Sequence, residues 1–250
     1  MADTQSGILS AESARHTIAG PCVEVSLIAT KERTMICLQQ DYDLQPASPR
    51  TRDAFIELAR NALIPAVERH GGRLVGAFFG NQDWFLRVTH FLEFPDLAAF
   101  ETWRRDMRND AAACDAQKQA EVLAPIRNEM LLESLGVVPD DALDKGIDAA
   151  RETPQGIYTA AQLKVAPGRM DDFEKLLRGA AASLPILTSW RPVAGDPDLV
   201  IDLWKGDVER SVSPYAPTTD ALNGFMDPLR EVAPNERVVR YFPLPYSPLA

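Results

Sequence analysis

Cysteine, histidine, basic charge and long apolar runs are all scarce in this chain, and each scarcity closes off a class of protein. Three widely spaced cysteines in 250 residues (Cys22, Cys37 and Cys114) make neither a disulfide framework nor a zinc pattern, and read as reduced thiols in a cytoplasmic protein. The three histidines (His16, His70 and His90) are too scattered to suggest a metal site. No apolar stretch is long enough to cross a bilayer, and the leader MADTQSGILSAESARHTIAG lacks the continuous apolar core of a secretory signal. Lys and Arg number 26 against 36 Asp and Glu, a formal charge of −10, so nucleic-acid phosphates are repelled. No basic run offers an anionic membrane a landing site. HGGRLVG follows a helical stretch and lacks phosphate-loop spacing, and no nucleophile-elbow motif occurs. The residues thus call for no metal, no cofactor, no nucleic acid and no membrane.

What the chain does have is the same unit written twice. Strand-like MICLQQDYDL (35–44) leads through a Pro-bearing turn to a helical stretch at 52–70, then to GGRLVGAFFG and the strand-like FLRVTHFLEF. In the second half, GIYTAAQLKVA (156–166) leads through PGR to MDDFEKLLRGAAASL, then to ILTSWRPVAG and DLVIDLWK. Asp53 and Phe55 align with Asp171 and Phe173, and Val88 and His90 with Val200 and Asp202. Within 52–70 the spacing of Phe55, Leu58, Ala59, Ala62, Ala66 and Val67 predicts one buried helix face, with a kink at Pro65 and a stop at Gly71-Gly72. A second helical region, 96–121, carries Leu97, Phe100 and Trp103 on one stripe; its counterpart in the second half, rich in proline, leaves room only for a short helix around 218–226.

Residues 126–135 and 236–242 read as closing strands, and the tail PLPYSPLA as a surface wrap. The organisation that follows is a flexible arm at 1–20, a first unit at 21–135 with an extra strand at 22–30, a linker at 136–155 with a single helical turn, and a second unit at 156–250. Each unit reads β-α-β-β-α-β with both helices on one sheet face, so the fold class is α+β: two ferredoxin-like repeats. A lone sheet of this kind leaves its other face bare, and two such faces can cover each other. Whether they meet within one chain or between chains, as in a homo-oligomer, is left open by the sequence.

The pieces PGRMDDFEKLL, IPAVERHGGRLVGAF, RVTHFLEFPDLAAFE, LVIDLWK and YFPLPYSPL resemble the NIPSNAP family within the dimeric α/β-barrel superfamily. The resemblance covers nearly the whole chain apart from arm and linker. It implies two ferredoxin-like units with sheets packed face to face into a barrel. The superfamily includes cofactor-independent monooxygenases, polyketide cyclases, haem-degrading enzymes and small-molecule binders. The family usually shows His-Leu-Trp where this chain has His90-Phe91-Leu92 and Asp202-Leu203-Trp204, and an arginine where Gln40 and Ala161 stand.

Strand alternation then sorts the side chains. The purely apolar row Leu199, Ile201 and Leu203 suits packing beneath helices, leaving Val200, Asp202 and Trp204, with Val88 and His90 of the first copy, to line a cavity between the sheets. Leu38, Gln40 and Tyr42 share a face of the first strand, and Trp84 opens the strand that carries His90. A neutral imidazole facing a carboxylate makes a usable proton-transfer pair, so His90 and Asp202 are the candidate catalytic residues, with Tyr42 as an orienting donor. Leu38, Gln40, Trp84, Val88, Val200 and Trp204 are the candidate binding residues, and Phe78, Phe79 and Trp190 add aromatic surface for a planar molecule. The plainer alternative makes His90 a hydrogen-bonded strand histidine and Asp202 a structural carboxylate. The functional expectation is an enzyme acting on a small apolar or aromatic metabolite by acid–base or cofactor-independent oxygen chemistry; the alternative is a non-catalytic ligand-binding or interaction module.

Overall fold

The computed structural model describes residues 35–82, 85–153, 156–206 and 220–250. The arm, the strand expected at 22–30 and Trp84 lie outside them.

Eight antiparallel strands close into a barrel: β1 (Ile36–Leu44), β2 (Arg73–Gln82), β3 (Phe85–Phe94), β4 (Ile126–Ser134), β5 (Tyr158–Lys164), β6 (Ile186–Pro192), β7 (Leu199–Lys205) and β8 (Asn235–Pro243). Going round the barrel, the first half runs β4-β1-β3-β2 and the second β8-β5-β7-β6, the same order twice. Gln40 sits opposite His90 across β1 and β3, as Ala161 sits opposite Asp202 across β5 and β7. The halves join where β2 meets β8 and where β4 meets β6.

The helical stretch after β1 opens on Ser48, whose hydroxyl accepts from the Thr51 amide at 3.1 Å, with Pro49 at the start, where its missing N–H costs nothing. It runs as α1 (Pro49–Leu58), one π turn over Ala59–Leu63, and α2 (Ile64–Arg69). Pro65 therefore does not break a continuous helix but falls in the first turn of a new one, and the π turn supplies the irregularity. Gly71, at φ 90°, takes the left-handed turn out of α2.

The expected single region 96–121 is two helices, α3 (Leu97–Asn109) and α4 (Ala111–Leu123). Asp110 divides them because its carboxylate accepts from the amides of Ala112 and Ala113, starting a fresh helix. Phe100 and Trp103 are buried, whereas Leu97 is exposed. The segment read as a linker folds as α5 (Ala142–Glu152), which buries Leu143, Ile147 and Ala150. The second half adds α6 (Met170–Ala180) and α7 (Asp220–Val232), the latter longer than expected and carrying Pro228 inside it.

Three apolar clusters fill the molecule. The central one draws on all eight strands (Cys37, Val75, Phe78, Phe91, Leu132, Tyr158, Trp190, Leu203 and Tyr241 among them) and is the barrel interior. The other two lie on the outer sheet faces, one beneath α1–α4 and one beneath α6 and α7.

Candidate functional site

The interior of the barrel is occupied by side chains. Phe78 stacks on Tyr241 with ring centroids 5.0 Å apart, and Phe91 on Trp190, also at 5.0 Å. Toward one end the apolar packing gives way to a polar network: Thr89 Oγ1 donates to Asp41 at 2.6 Å, Gln39 Nε2 donates to the same carboxylate at 3.0 Å, and Arg87 reaches both oxygens of Asp43. The hollow left there is about 30 Å³, the space of one water. Among the described residues the space at that end holds no metabolite; at the other end a cavity of about 380 Å³ opens between Arg73, Glu93 and Ser134 of the first half, Thr188 to Trp190 of the second, and Leu143 and Asp144 of α5.

The expected wall residues point the other way. Ile201 and Leu203 belong to the barrel interior, while Val200 packs beneath α6 and α7 and Trp204 lies against Phe225 of α7. Asp202 shares their strand face. Val88 and Leu92 likewise belong to the cluster under α1–α4, and the His90 ring lies 6.1 Å from Phe55 of α1. His90 and Asp202 therefore occupy matched positions on opposite outer faces and do not face each other across a cavity. The physical reason is that both faces of β3 and β7 are covered, one by helices and one by the opposing sheet. A purely apolar row was thus as well suited to the barrel interior as to a helix interface. The aromatic set is dispersed in the same way: Phe78 and Trp190 are interior, Tyr42 and Phe79 lie in the first outer cluster, and Trp204 in the second.

A cavity does exist on the first outer face. About 410 Å³ lies between the sheet and its helices, with Leu38, Gln40, Tyr42 and His90 along β1 and β3. Leu63, Ile64 and Val67 form one wall, Trp103 and Met107 of α3 with Cys114 and Gln117 of α4 form the roof, and Arg127 and Glu129 of β4 border it. The sequence-named residues Leu38, Gln40, Tyr42 and His90 thus come together, and Asp202, Val200 and Trp204 stay apart from them. A broader hollow of about 550 Å³ between α6 and α7 has no imidazole, thiol or phenol among the described residues of its walls.

The polar groups of the cavity are ordered. Gln40 Nε2 donates to Glu129 Oε1 at 2.7 Å, and its carbonyl accepts from the Tyr42 hydroxyl at 3.3 Å. His90 Nε2 shares a 2.7 Å hydrogen bond with the hydroxyl of Tyr246, which no sequence pattern had singled out. Tyr246 is delivered by the tail after β8, which lies along β2: Leu244 N donates to Ala77 O at 2.9 Å, and Ala77 N donates to Ser247 Oγ at 3.0 Å. The proline-rich tail has no period from which that placement could be read.

Burial holds the His90 imidazole neutral, its pKa pushed down to about 3, and raises the phenols of Tyr42 and Tyr246 so that both keep their protons. The site therefore offers a neutral imidazole, the Tyr42 phenol and the Gln40 carboxamide at the chamber wall, with Tyr246 bonded to the imidazole from outside the lining. In the second half the equivalent ground is filled by Phe173 and Phe225, and Asp202 accepts from Ser189 Oγ at 2.5 Å. His70 is held by Asp110 at 2.9 Å, at the end of α2. Among the described residues, no group of three or more His, Cys, Asp or Glu side chains is arranged to hold a metal ion, and no helix is long and apolar enough to cross a membrane.

Residues 40–132, which contain most of the cavity, match the NIPSNAP family model. No curated protein sequence matches the chain. Among solved structures it is similar to a candidate monooxygenase from Fusobacterium nucleatum subsp. nucleatum ATCC 25586, with a TM-score of 0.58 at 9% identity over 85% of this chain and 94% of that one. A second candidate monooxygenase, from Lactobacillus acidophilus NCFM, gives 0.55 at 11% identity over 84% and 94%. An anthrone oxidase-like protein gives 0.51 at 11% identity over 86% and 92%. At such identities the likeness is one of fold. Residues 40–132 are thus similar to a NIPSNAP domain, and the closed eight-stranded barrel that holds them shares its fold with these monooxygenase-like structures.

Proposed function

We propose that this protein is a cytoplasmic small-molecule enzyme. Its substrate is an apolar or aromatic metabolite seated between the first sheet and α2–α4, and its chemistry is that of acid–base or cofactor-independent oxygen-consuming enzymes. The observation that carries this reading is the buried, neutral imidazole of His90 at the wall of the 410 Å³ chamber. Burial makes His90 a weak base in the empty chamber, so it takes a proton from a phenol or an activated C–H of the substrate only as the anion forming beside it draws the imidazole pKa up. The imidazolium formed is stabilised by the organic anion left beside it, and Tyr246 follows the change at Nε2 by donating or accepting. Tyr42 and Gln40 orient a carbonyl or phenol oxygen. An electron-rich anion held away from water is the kind of species that reacts with dioxygen directly, and two of the fold relatives are candidate monooxygenases. Asp202 has no part in this site.

The same reading takes the chain as a tandem duplication of a ferredoxin-like unit, over 21–135 and 156–250, joined by 136–155. The repeated strand order supports it. Among the described residues the imidazole lines the chamber of the first copy and not the hollow of the second, so one active site per chain is proposed, in a monomer or a homo-oligomer. The filled barrel interior favours one rival, a ligand-binding or interaction module without chemistry.

Native mass spectrometry of freshly purified protein identifies a bound metabolite, and His90→Gln tests the chemistry. The glutamine can still bond Tyr246, so the fold is kept. Turnover is expected to vanish with ligand retained. Unchanged turnover removes His90 from the mechanism, and a ligand that neither form converts favours the binding module.

A further inference from the structure

The chamber carries a sign of charge opposite to that of the molecule. Arg104 and Arg108, one turn apart on α3, Lys118 on α4 and Arg127 on β4 border it, with Glu129 the one carboxylate among the described lining residues. In a chain of formal charge −10 such a cationic rim is a local inversion. Glu129 is already engaged, accepting from Gln40 and lying 3.5 Å from Arg127. Arg104 and Lys118 pair loosely with exposed Glu101 and Asp115 on their own helices, at 3.4 and 3.2 Å. Arg108 has no ion-pair partner among the described residues, although it stands in the last turn of α3, where the helix dipole alone favours a cation.

Behind the rim the walls are largely apolar, with Tyr42, Ile64, Val67, Trp103 and Met107 lining the chamber. Cations at the rim and apolar walls within describe a ligand with an apolar body and a negatively charged end.

We infer that the chamber takes an amphipathic organic anion: a planar apolar body between Tyr42, Ile64, Val67 and Met107, and an acidic group, carboxylate, sulfonate or phenolate, at the rim against Arg108. This rests on the chamber being the ligand site proposed above, and names the class of molecule it admits. Arginine in particular suits a carboxylate or sulfonate because its planar fork donates two parallel hydrogen bonds. The anion enters against the overall negative field of the protein, so the rim cations also draw it to the mouth.

Two probes with one aromatic body test this: 1-anilinonaphthalene-8-sulfonate and its neutral parent N-phenyl-1-naphthylamine, titrated by fluorescence against the full chain. The sulfonate is expected to bind about tenfold tighter at low salt and to lose that margin as salt rises, as for charge-assisted contacts at a partly exposed rim. Arg108→Gln is expected to remove most of the margin and leave the neutral probe unchanged. Cys114, in the chamber wall, locates the event: bound sulfonate should slow its alkylation by iodoacetamide, read by peptide mass spectrometry.

Equal affinities of the two probes, an Arg108→Gln effect shared by both, or Cys114 alkylation unaffected by saturating sulfonate would each overturn the inference. The last result would mean that the probe sits on some other apolar surface. Failure of the catalytic reading is separable, since His90→Gln with normal turnover leaves the probe margin and the Cys114 protection as they were.

Discussion

Burial keeps His90 neutral with its pKa pushed down to about 3, whereas in an unfolded chain it titrates near 6.5. Below pH 6.5 the unfolded state binds a proton that the folded state refuses, so stability falls as pH drops from 6.5 toward 3. Asp202, at the matched strand position, does the reverse. Desolvation pushes its carboxyl up to about 7 from an ordinary 3.8, outweighing the bond from Ser189, and its Oδ2 is buried without a partner. Here the folded state holds a proton that the unfolded state has lost, so stability falls as pH rises from about 4 to 7.

Asp202→Asn is therefore expected to stabilise the protein at pH 8, by a few kcal/mol at the order of magnitude such a shift allows, and to change little at pH 4. Urea midpoints of both proteins at the two pH values decide it; a variant less stable at pH 8 would show that the charged carboxylate is the native form. Tyr246→Phe isolates the tail contact. Losing the hydroxyl leaves His90 Nε2 unpartnered in a buried site, and a loss of about 1 kcal/mol is expected in the same urea measurement at pH 7. A variant as stable as the parent would mean that the tail does not hold His90 in solution.

At the level of elements, turn and periodicity signals placed the strands and most helices, because glycine, proline and an amphipathic period of 3.6 act locally. They could not say which way each strand faces. In β7 the two rows differ in sequence, one purely apolar and one containing Asp202, yet both are buried, Asp202 with 0% exposure. Hydropathy alone then favours the wrong row. The half of the site that was legible, Leu38, Gln40, Tyr42 and His90, came from residues sharing one face of paired strands, an inference independent of which face was covered. Its roof was not legible, since Met107, Cys114 and Gln117 are brought over the sheet only by the break at Asp110.

The segment 136–155 shows a different limit: its acidic, proline-bearing composition reads as a linker, yet α5 packs on the barrel. Gly146 lets it come close, as a Cβ there would lie 2.7 Å from the Leu187 side chain. Ile147, 3% exposed, should then behave as a core residue, and Ile147→Ala is expected to cost about 2–4 kcal/mol by chemical denaturation. Lys145→Ala, whose side chain is 73% exposed, should cost almost nothing. Equal and small effects from both would return this helix to the status of a tether.

For the molecule as a whole, the question is what makes one barrel out of two sheets. Backbone pairing at the joints is short: β2 and β8 pair at Phe78↔Pro243 and Phe79↔Phe242, continued by Leu244 N to Ala77 O, and β4 and β6 pair from Leu132↔Pro192 to Ser134↔Trp190, continued by Val193 N to Leu131 O and Leu135 N to Ser189 O. By contrast β1 pairs with β3 along its whole length, Ile36↔Phe94 to Leu44↔Leu86. Side chains inside the barrel add to closure. Phe78 belongs to the first half but lies on Tyr241 and Tyr158 of the second, at 5.0 and 5.4 Å, while Phe91 of the first lies on Trp190 of the second. Such ring pairs add about 0.5–1.5 kcal/mol each beyond their buried area.

Phe78→Ala removes the ring that touches two tyrosines of the other half, and the expected loss is about 3–5 kcal/mol. The informative readout is where that loss appears. If the interior aromatics hold the halves as one cooperative unit, native-state hydrogen exchange should quicken together at the slowest amides of β3 and of β5, though the substitution lies in β2. If amides of the first half quicken and those of β5 keep their protection, each sheet stands on its own helices. The stacked rings would then be a contact between two independent domains, and the barrel would be held shut by the chain connecting them.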